Sequence, residues 1–264
     1  VTWLLAYVAC GVFVGFLAGL LGIGGGMTLV PILAALFAAQ ALAPDHSVHL
    51  ALGTGMASAV FTSFSSVMAH HRLGSVDWAL VRRLVPGVVT GTLAATLASG
   101  WLTQGQLAAC YAATAGVGAL QLLRRGPPAA TRTLPSSPVL FAVMGTIGIV
   151  SGLLSAGGAF LTVPFMVWCG VPLRTAIGTG AALAWPISAV GSAGFVISGL
   201  ATPDLPAGTL GFVLLPALVP LVIASILVAP YGARLMHRVP LPLLRRLFAL
   251  MLLLLALKMA VTYL

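Results

Sequence analysis

Two short runs of glycine, Gly24-Gly25-Gly26 and Gly157-Gly158, interrupt otherwise apolar sequence, and each is followed within a few residues by a proline, Pro31 or Pro164. Glycines so placed let backbone groups approach a bound molecule. A short helix starting after each run would turn its free N–H groups and positive dipole end toward the break, which makes a site for an anion. The prolines would stop or kink those short helices within about two turns. Hydroxyl groups lie nearby: Thr28 and Thr162 follow the glycines, Thr54 and Thr179 occupy a second pair of matched positions, and Ser58, Ser155, Ser188 and Ser192 stand in the same segments. Such hydroxyls can donate to an oxyanion, although in apolar helices they also bond their own backbone, and glycines there also serve close helix packing. His49 and Arg174 each stand two residues before a matched Ala-x-Gly-Thr-Gly piece. They would steer or gate an anion at opposite mouths; an interfacial histidine and a positively charged anchor are the alternative reading.

The pairing of these residues comes from a duplication. Gly19-Leu20-Leu21-Gly22-Ile23-Gly24-Gly25-Gly26-Met27-Thr28-Leu29-Val30-Pro31 reappears as Gly152-Leu153-Leu154-Ser155-Ala156-Gly157-Gly158-Ala159-Phe160-Leu161-Thr162-Val163-Pro164, a shift of 133 (31 to 164). Ala51-Leu52-Gly53-Thr54-Gly55 returns as Ala176-Ile177-Gly178-Thr179-Gly180, a shift of 125 (51 to 176). A duplicated apolar unit with a glycine-rich interruption is the pattern of secondary transporters whose broken helices build a site between two halves.

Composition places the chain in a membrane. Hydrophobic residues make up 60% and charged residues 6%, with mean hydropathy +1.15, whereas soluble domains are roughly one quarter charged. The apolar runs have helical length and lack the alternation of a β-barrel. The net charge of +9 therefore reports topology and not nucleic-acid binding. Cys10, Cys110 and Cys169 have no metal or redox spacing, so no metal and no cofactor are expected. The first apolar run lacks a positive leading region and is expected to stay as a membrane segment.

Apolar segments fall near 2–22, 27–43, 48–69, 79–102 and 106–123, then 139–155, 159–171, 176–198, 208–230 and 243–263. This predicts an all-α integral membrane protein: a first repeat at 1–123, a polar, proline-rich cytoplasmic linker at 124–138 and a second repeat at 139–264. Each repeat has four to five helical segments with broken or re-entrant helices at the glycines, giving eight to ten full spans. An odd number of segments per repeat inverts the second copy relative to the first. With both termini outside a bacterial inner membrane, all eleven arginines fall on the cytoplasmic side, as the positive-inside rule requires, and only Lys258 falls near the outer face.

The chain has no glutamate, and Asp45, Asp77 and Asp204 fall in loops, so no carboxylate stands at mid-membrane for a proton relay or as a cation's counter-charge. An intramembrane enzyme is the weaker alternative, because there is no Gly-x-Ser-Gly nucleophile, no histidine pair at metal-binding spacing and no buried acid. A channel-like anion pathway through the same helix ends is the nearer one.

The glycine breaks ending in proline, the Ala-x-Gly-Thr pieces, the Gly74-Ser75-Val76-Asp77-Trp78 loop and the arginine-rich approach to the last helix together resemble the TauE/SafE family of sulfite exporters. The likeness covers nearly the whole chain. It implies seven or eight spans and export of sulfite or a small organosulfonate, with other small anions possible; the duplication itself makes alternating access between the repeats the expected mechanism. Two departures are Gly55 and Gly180, where such proteins often carry serine, and Ala159, which stands opposite Gly26. The expected substrate-binding set is Gly24, Gly25, Gly26, Thr28, Thr54, Gly157, Gly158, Thr162 and Thr179. The expected partners are a small anion and the lipid bilayer, with no nucleic acid; a homodimer is left open.

Overall fold

The computed structural model describes residues 2–21, 26–123, 133–155, 157–203, 205–236 and 241–263. These fold into α1 (Thr2–Leu21), α2 (Gly26–Ala39), α3 (Ser47–Arg72), α4 (Trp78–Ala98, closed by a 3-10 turn at Ser99–Trp101), α5 (Gln104–Leu123), α6 (Ser137–Leu153), α7 (Ala159–Trp168), α8 (Leu173–Leu200), α9 (Leu215–Met236) and α10 (Leu241–Tyr263). The architecture is an all-helical one of membrane type. Among the described residues, Ser47–Arg72, Trp78–Trp101 and Leu173–Leu200 are long and apolar enough to cross a bilayer. Large apolar side chains such as Leu5, Phe13, Leu227, Leu257 and Val261 face outward, where water would penalise them and lipid does not.

Helices α3 and α8 pack together at the centre, α1 packs on α9, α4 on α6, and α5 on α10. Small residues permit these approaches. In α1, Gly11 meets Leu221 and Ala224 and Gly15 meets Ser225; in α6, Met144 meets Gly87 and Gly148 meets Val88. These are the same contacts under the duplication, since α1 and α6 differ by 133 (15 to 148) and α4 and α9 by 137 (88 to 225). Met56 touches Gly191 and Phe64 packs against Trp185 at 6.2 Å between ring centroids, so α3 and α8 run antiparallel. The start of α5 likewise meets the end of α10, where Gly105 faces the Tyr263 carbonyl.

The described arginines collect toward one end. Arg72 ends α3, Arg82 and Arg83 lie in the second turn of α4, and Arg174 opens α8, all exposed. The bond from Asp77 to Thr179 places the starts of α4 and α8 side by side. Exposed Arg246 lies near the start of α10, away from Tyr263 and hence at this same end.

Two expectations are corrected. Residues 208–214 do not begin a helix: Thr209–Leu210 and Val213–Leu214 pair as a small antiparallel hairpin, with Thr209 opposite Leu214. Gly208 and Gly211 have φ of +83° and +55°, a left-handed backbone that a helix cannot absorb. Of the two effects expected of Pro31 and Pro164, a stop or a kink, the stop does not occur; α2 continues to Ala39 and α7 to Trp168. Each proline is the sixth residue of its helix, and its ring removes one internal N–H bond without ending the helix.

Candidate functional site

The second break is built by Ser155, Gly157 and Gly158 between α6 and α7; Ala156 lies outside the described residues. Ser155 has φ +52° and its hydroxyl donates to the Leu52 carbonyl of α3, which ties the break to the other half of the chain. Gly158 caps α7 with φ +73°. Its carbonyl accepts from the N–H groups of Leu161 and Thr162 at 3.0 and 2.9 Å. The N–H groups of Ala159 and Phe160 come too early in α7 to be bonded within it, as at any helix start.

This break docks along one stripe of α8. A Cβ placed on Gly180 would lie 3.4 Å from Thr162 Oγ1 and 3.7 Å from Ala159 Cα, and one placed on Gly157 would lie 3.1 Å from the Ala184 methyl. Gly158 faces Ile187, with Ser151 Oγ 3.4 Å from its Cβ position. Ser188 follows Ala184 by one turn. Gly180, Ala184 and Ser188 are matched at the 125 shift by Gly55, Ala59 and Ser63 of α3. The duplicated piece thus extends to Ala-x-Gly-Thr-Gly-x-Ala-x-Ala-x-x-x-Ser, and sequence reading missed Ser63 although this match was there to find it. Ser151 also escaped notice, since its counterpart is Ala18.

At the first break, Gly24 and Gly25 lie outside the described residues. Gly26 is the buried first residue of α2. It lines a small recess together with Gly55, Ser58, Thr62 and Ser225. Thr28 is buried beside it. Gly55 joins the two breaks, since its Cβ position lies 3.2 Å from Val30 of α2 and 3.7 Å from Ser155 Oγ.

Thr54 and Thr179 are fully buried, and each holds a loop of the opposite half. Thr179 Oγ1 accepts the Asp77 N–H at 3.1 Å, and Thr54 Oγ1 accepts the Leu214 N–H at 3.0 Å. The preceding glycines receive the same loops: Gly178 faces the Ser75 carbonyl and Gly53 the Phe212 carbonyl. Asp77 and Leu214 differ by 137 and immediately precede α4 and α9. The two clasps are therefore equivalent, with the Thr179 clasp toward the arginine-rich end. An accepted N–H uses an oxygen lone pair and leaves the hydroxyl proton to donate elsewhere.

His49 and Arg174, equivalent in sequence, have unlike surroundings. His49 is buried; its Nε2 lies 3.1 Å from the Ser99 carbonyl and 3.0 Å from that of Leu102, so this nitrogen carries the proton and donates. The ring packs on Phe212 at 4.8 Å and so ties α3 to the end of α4 and to the hairpin. Arg174 is exposed in the first turn of α8. Among the described residues no group of three or more His, Cys, Asp or Glu side chains could hold a metal.

Comparison with known proteins places this arrangement. The family model described as "Sulfite exporter TauE/SafE" matches residues 7–259. A "Probable membrane transporter protein" of Haemophilus influenzae is 30% identical over 261 residues, covering 98% of each chain. One of Xylella fastidiosa is 33% identical over 204 residues, covering 73% of this chain and 72% of the relative. "Probable membrane transporter protein YdhB" of Bacillus subtilis is 26% identical over 196 residues, covering 70% and 76%. No solved structure matches. With the family model spanning all but the ends of the chain and a relative aligned along its full length, this membrane protein belongs to the TauE/SafE family of transporters.

Proposed function

We propose that the chain exports sulfite or a small organosulfonate by alternating access between two inverted halves, residues 1–123 and 139–264, joined by the cytoplasmic linker 124–138. The observation that carries this reading is the second glycine break, where N–H groups too early in α7 to be bonded within it lie near buried hydroxyls against α8. Such an end attracts an anion without a full positive charge. Gly24, Gly25, Gly26, Thr28, Thr54 and Thr179 join the substrate set on the reading that both breaks share one pathway, with His49 and Arg174 at its two mouths.

The antiparallel run of α3 against α8 supports inversion, since a twofold axis exchanging two antiparallel spans lies in the plane of the bilayer. The gathering of arginines at one end supports an orientation with that end cytoplasmic and both termini outside. Export then runs downhill in a cell negative inside, at roughly 2.3 kcal/mol per charge per 100 mV. Liposomes containing the purified chain and loaded with sulfite are expected to release it in a saturable manner, faster when the lumen is made negative. Absence of flux for sulfite and a panel of organosulfonates would remove the substrate assignment, and unitary currents in a bilayer recording would replace the carrier by a channel.

A further inference from the structure

Several hydroxyls in the described helices bond their own backbone. Thr90 donates to Pro86 at 2.8 Å, Thr96 to Thr92 at 2.9 Å, Thr114 to Cys110 at 2.8 Å and Thr146 to Ala142 at 3.0 Å, the usual bond to the carbonyl one turn earlier. Ser151, Thr162 and Ser188 do not, and their oxygens are sealed inside the protein. All three residues are at most 1% exposed, and their hydroxyl oxygens have no hydrogen-bond partner among the described residues. Buried polar groups left unsatisfied are rare because each forfeits its hydration, so three along one seam call for a missing partner.

That seam is the second break. Ser151 approaches Gly158, Thr162 approaches Gly180, and Ser188 lies one turn beyond the Ala184 methyl that packs on Gly157. We infer that Ser151, Thr162 and Ser188 are the hydroxyl donors lining the path of the oxyanion at this break, and that they select a monoanion over a dianion. The inference rests on the reading of the chain as an oxyanion carrier and deepens it.

The selectivity follows from charge. Among the described residues no lysine or arginine is buried, so hydroxyl and N–H dipoles alone would solvate the ligand. The cost of removing an ion from water grows with the square of its charge, about fourfold from a monoanion to a dianion, while neutral donors return only hydrogen bonds. A sulfonate or hydrogensulfite fits this balance and sulfate does not. The positions matched to these three in the first half do not repeat the pattern. At the equivalent positions of the first half stand Ala18 and Leu29, which cannot donate, and Ser63, which is bonded to the Val60 carbonyl at 3.3 Å.

The test compares the full-length protein with Ser151→Ala, Thr162→Val and Ser188→Ala, using Ser63→Ala as the first-half control. Methanesulfonate and sulfate are titrated while thermal unfolding in detergent is followed, and flux is measured in liposomes. Wild type should be stabilised by methanesulfonate and not by sulfate. Each second-half variant should raise the half-saturating methanesulfonate concentration about tenfold, the worth of one hydrogen bond to a charged group, and Ser63→Ala should leave it within about twofold. Because these hydroxyls bond no other group among the described residues, Thr162→Val should unfold no earlier than wild type when no anion is present, and Thr162→Ser should retain binding. Equal binding by wild type and the three variants, equal loss in Ser63→Ala, sulfate binding as well as methanesulfonate, or no stabilisation by any of methanesulfonate, sulfate and acetate would overturn the inference. If another monoanion such as acetate stabilises the protein through these hydroxyls while no sulfur oxyanion moves, the donor lining stands and the sulfur substrate falls. If sulfite moves and the variants move it equally well, the reverse holds.

Discussion

Gly158→Val is expected to reduce sulfite flux in liposomes to background, and Gly158→Ala to retain a fraction of it. Gly158 sits at φ +73°, where a side chain costs about 1–2 kcal/mol and a β-branched one more. Its added Cβ would also run into Ile187 Cδ1 and approach Ser151. The isoleucine methyl is the end of a flexible side chain and can yield to alanine's single methyl. Valine's two further methyls would extend into the space proposed for the anion. Flux by Gly158→Val at the wild-type rate, measured on protein with unchanged thermal unfolding, would show that the break is not part of the pathway.

The second large effect concerns the clasps. Gly53→Ala and Gly178→Ala should each destabilise the protein by about 2 kcal/mol or more, in the range of overpacking combined with loss of a buried hydrogen bond. Each added methyl would collide with a backbone carbonyl of the opposite half, Phe212 for Gly53 and Ser75 for Gly178. A backbone group cannot rotate away as a side chain does. The displaced loop would also pull its N–H from Thr54 or Thr179. Gly116→Ala is the control: nothing lies within 4 Å of its Cβ position, and an alanine inside a helix is favoured over glycine by roughly 0.5–1 kcal/mol. Thermal unfolding of the three variants side by side should show two losses and no loss for Gly116→Ala. Unfolding of either clasp variant like the control would mean that the halves are not held at these points.

Much of this fold is written in the order of residues. Runs of apolar side chains long enough for helices gave ten segments, nine of which begin within about three residues of the observed helices. The exception, 208–230, is apolar throughout, yet Pro206, Gly208 and Gly211 turn its first residues into a hairpin; hydropathy does not separate a buried hairpin from the start of a helix. Thr54 and Thr179 could be paired by their matching neighbours. Their partners could not, because Leu214 and Asp77 lie 160 and 102 residues away and loops of such different sequence share only their backbone. The same holds for the hydroxyl lining. Thr162 stands in the repeated motif, but that Thr162, Ser151 and Ser188 are left without partners depends on helix packing, which no local pattern encodes.

The central claim is that an oxyanion rests at the second glycine break. Selenite, the heavier analogue of sulfite, tests it through the anomalous scattering of selenium in crystals of the protein. A selenium peak is expected within hydrogen-bonding reach of the start of α7, beside Gly158 and the hydroxyls of Ser151 or Thr162. Peaks confined to the exposed arginines, with the break empty at saturating selenite, would contradict it.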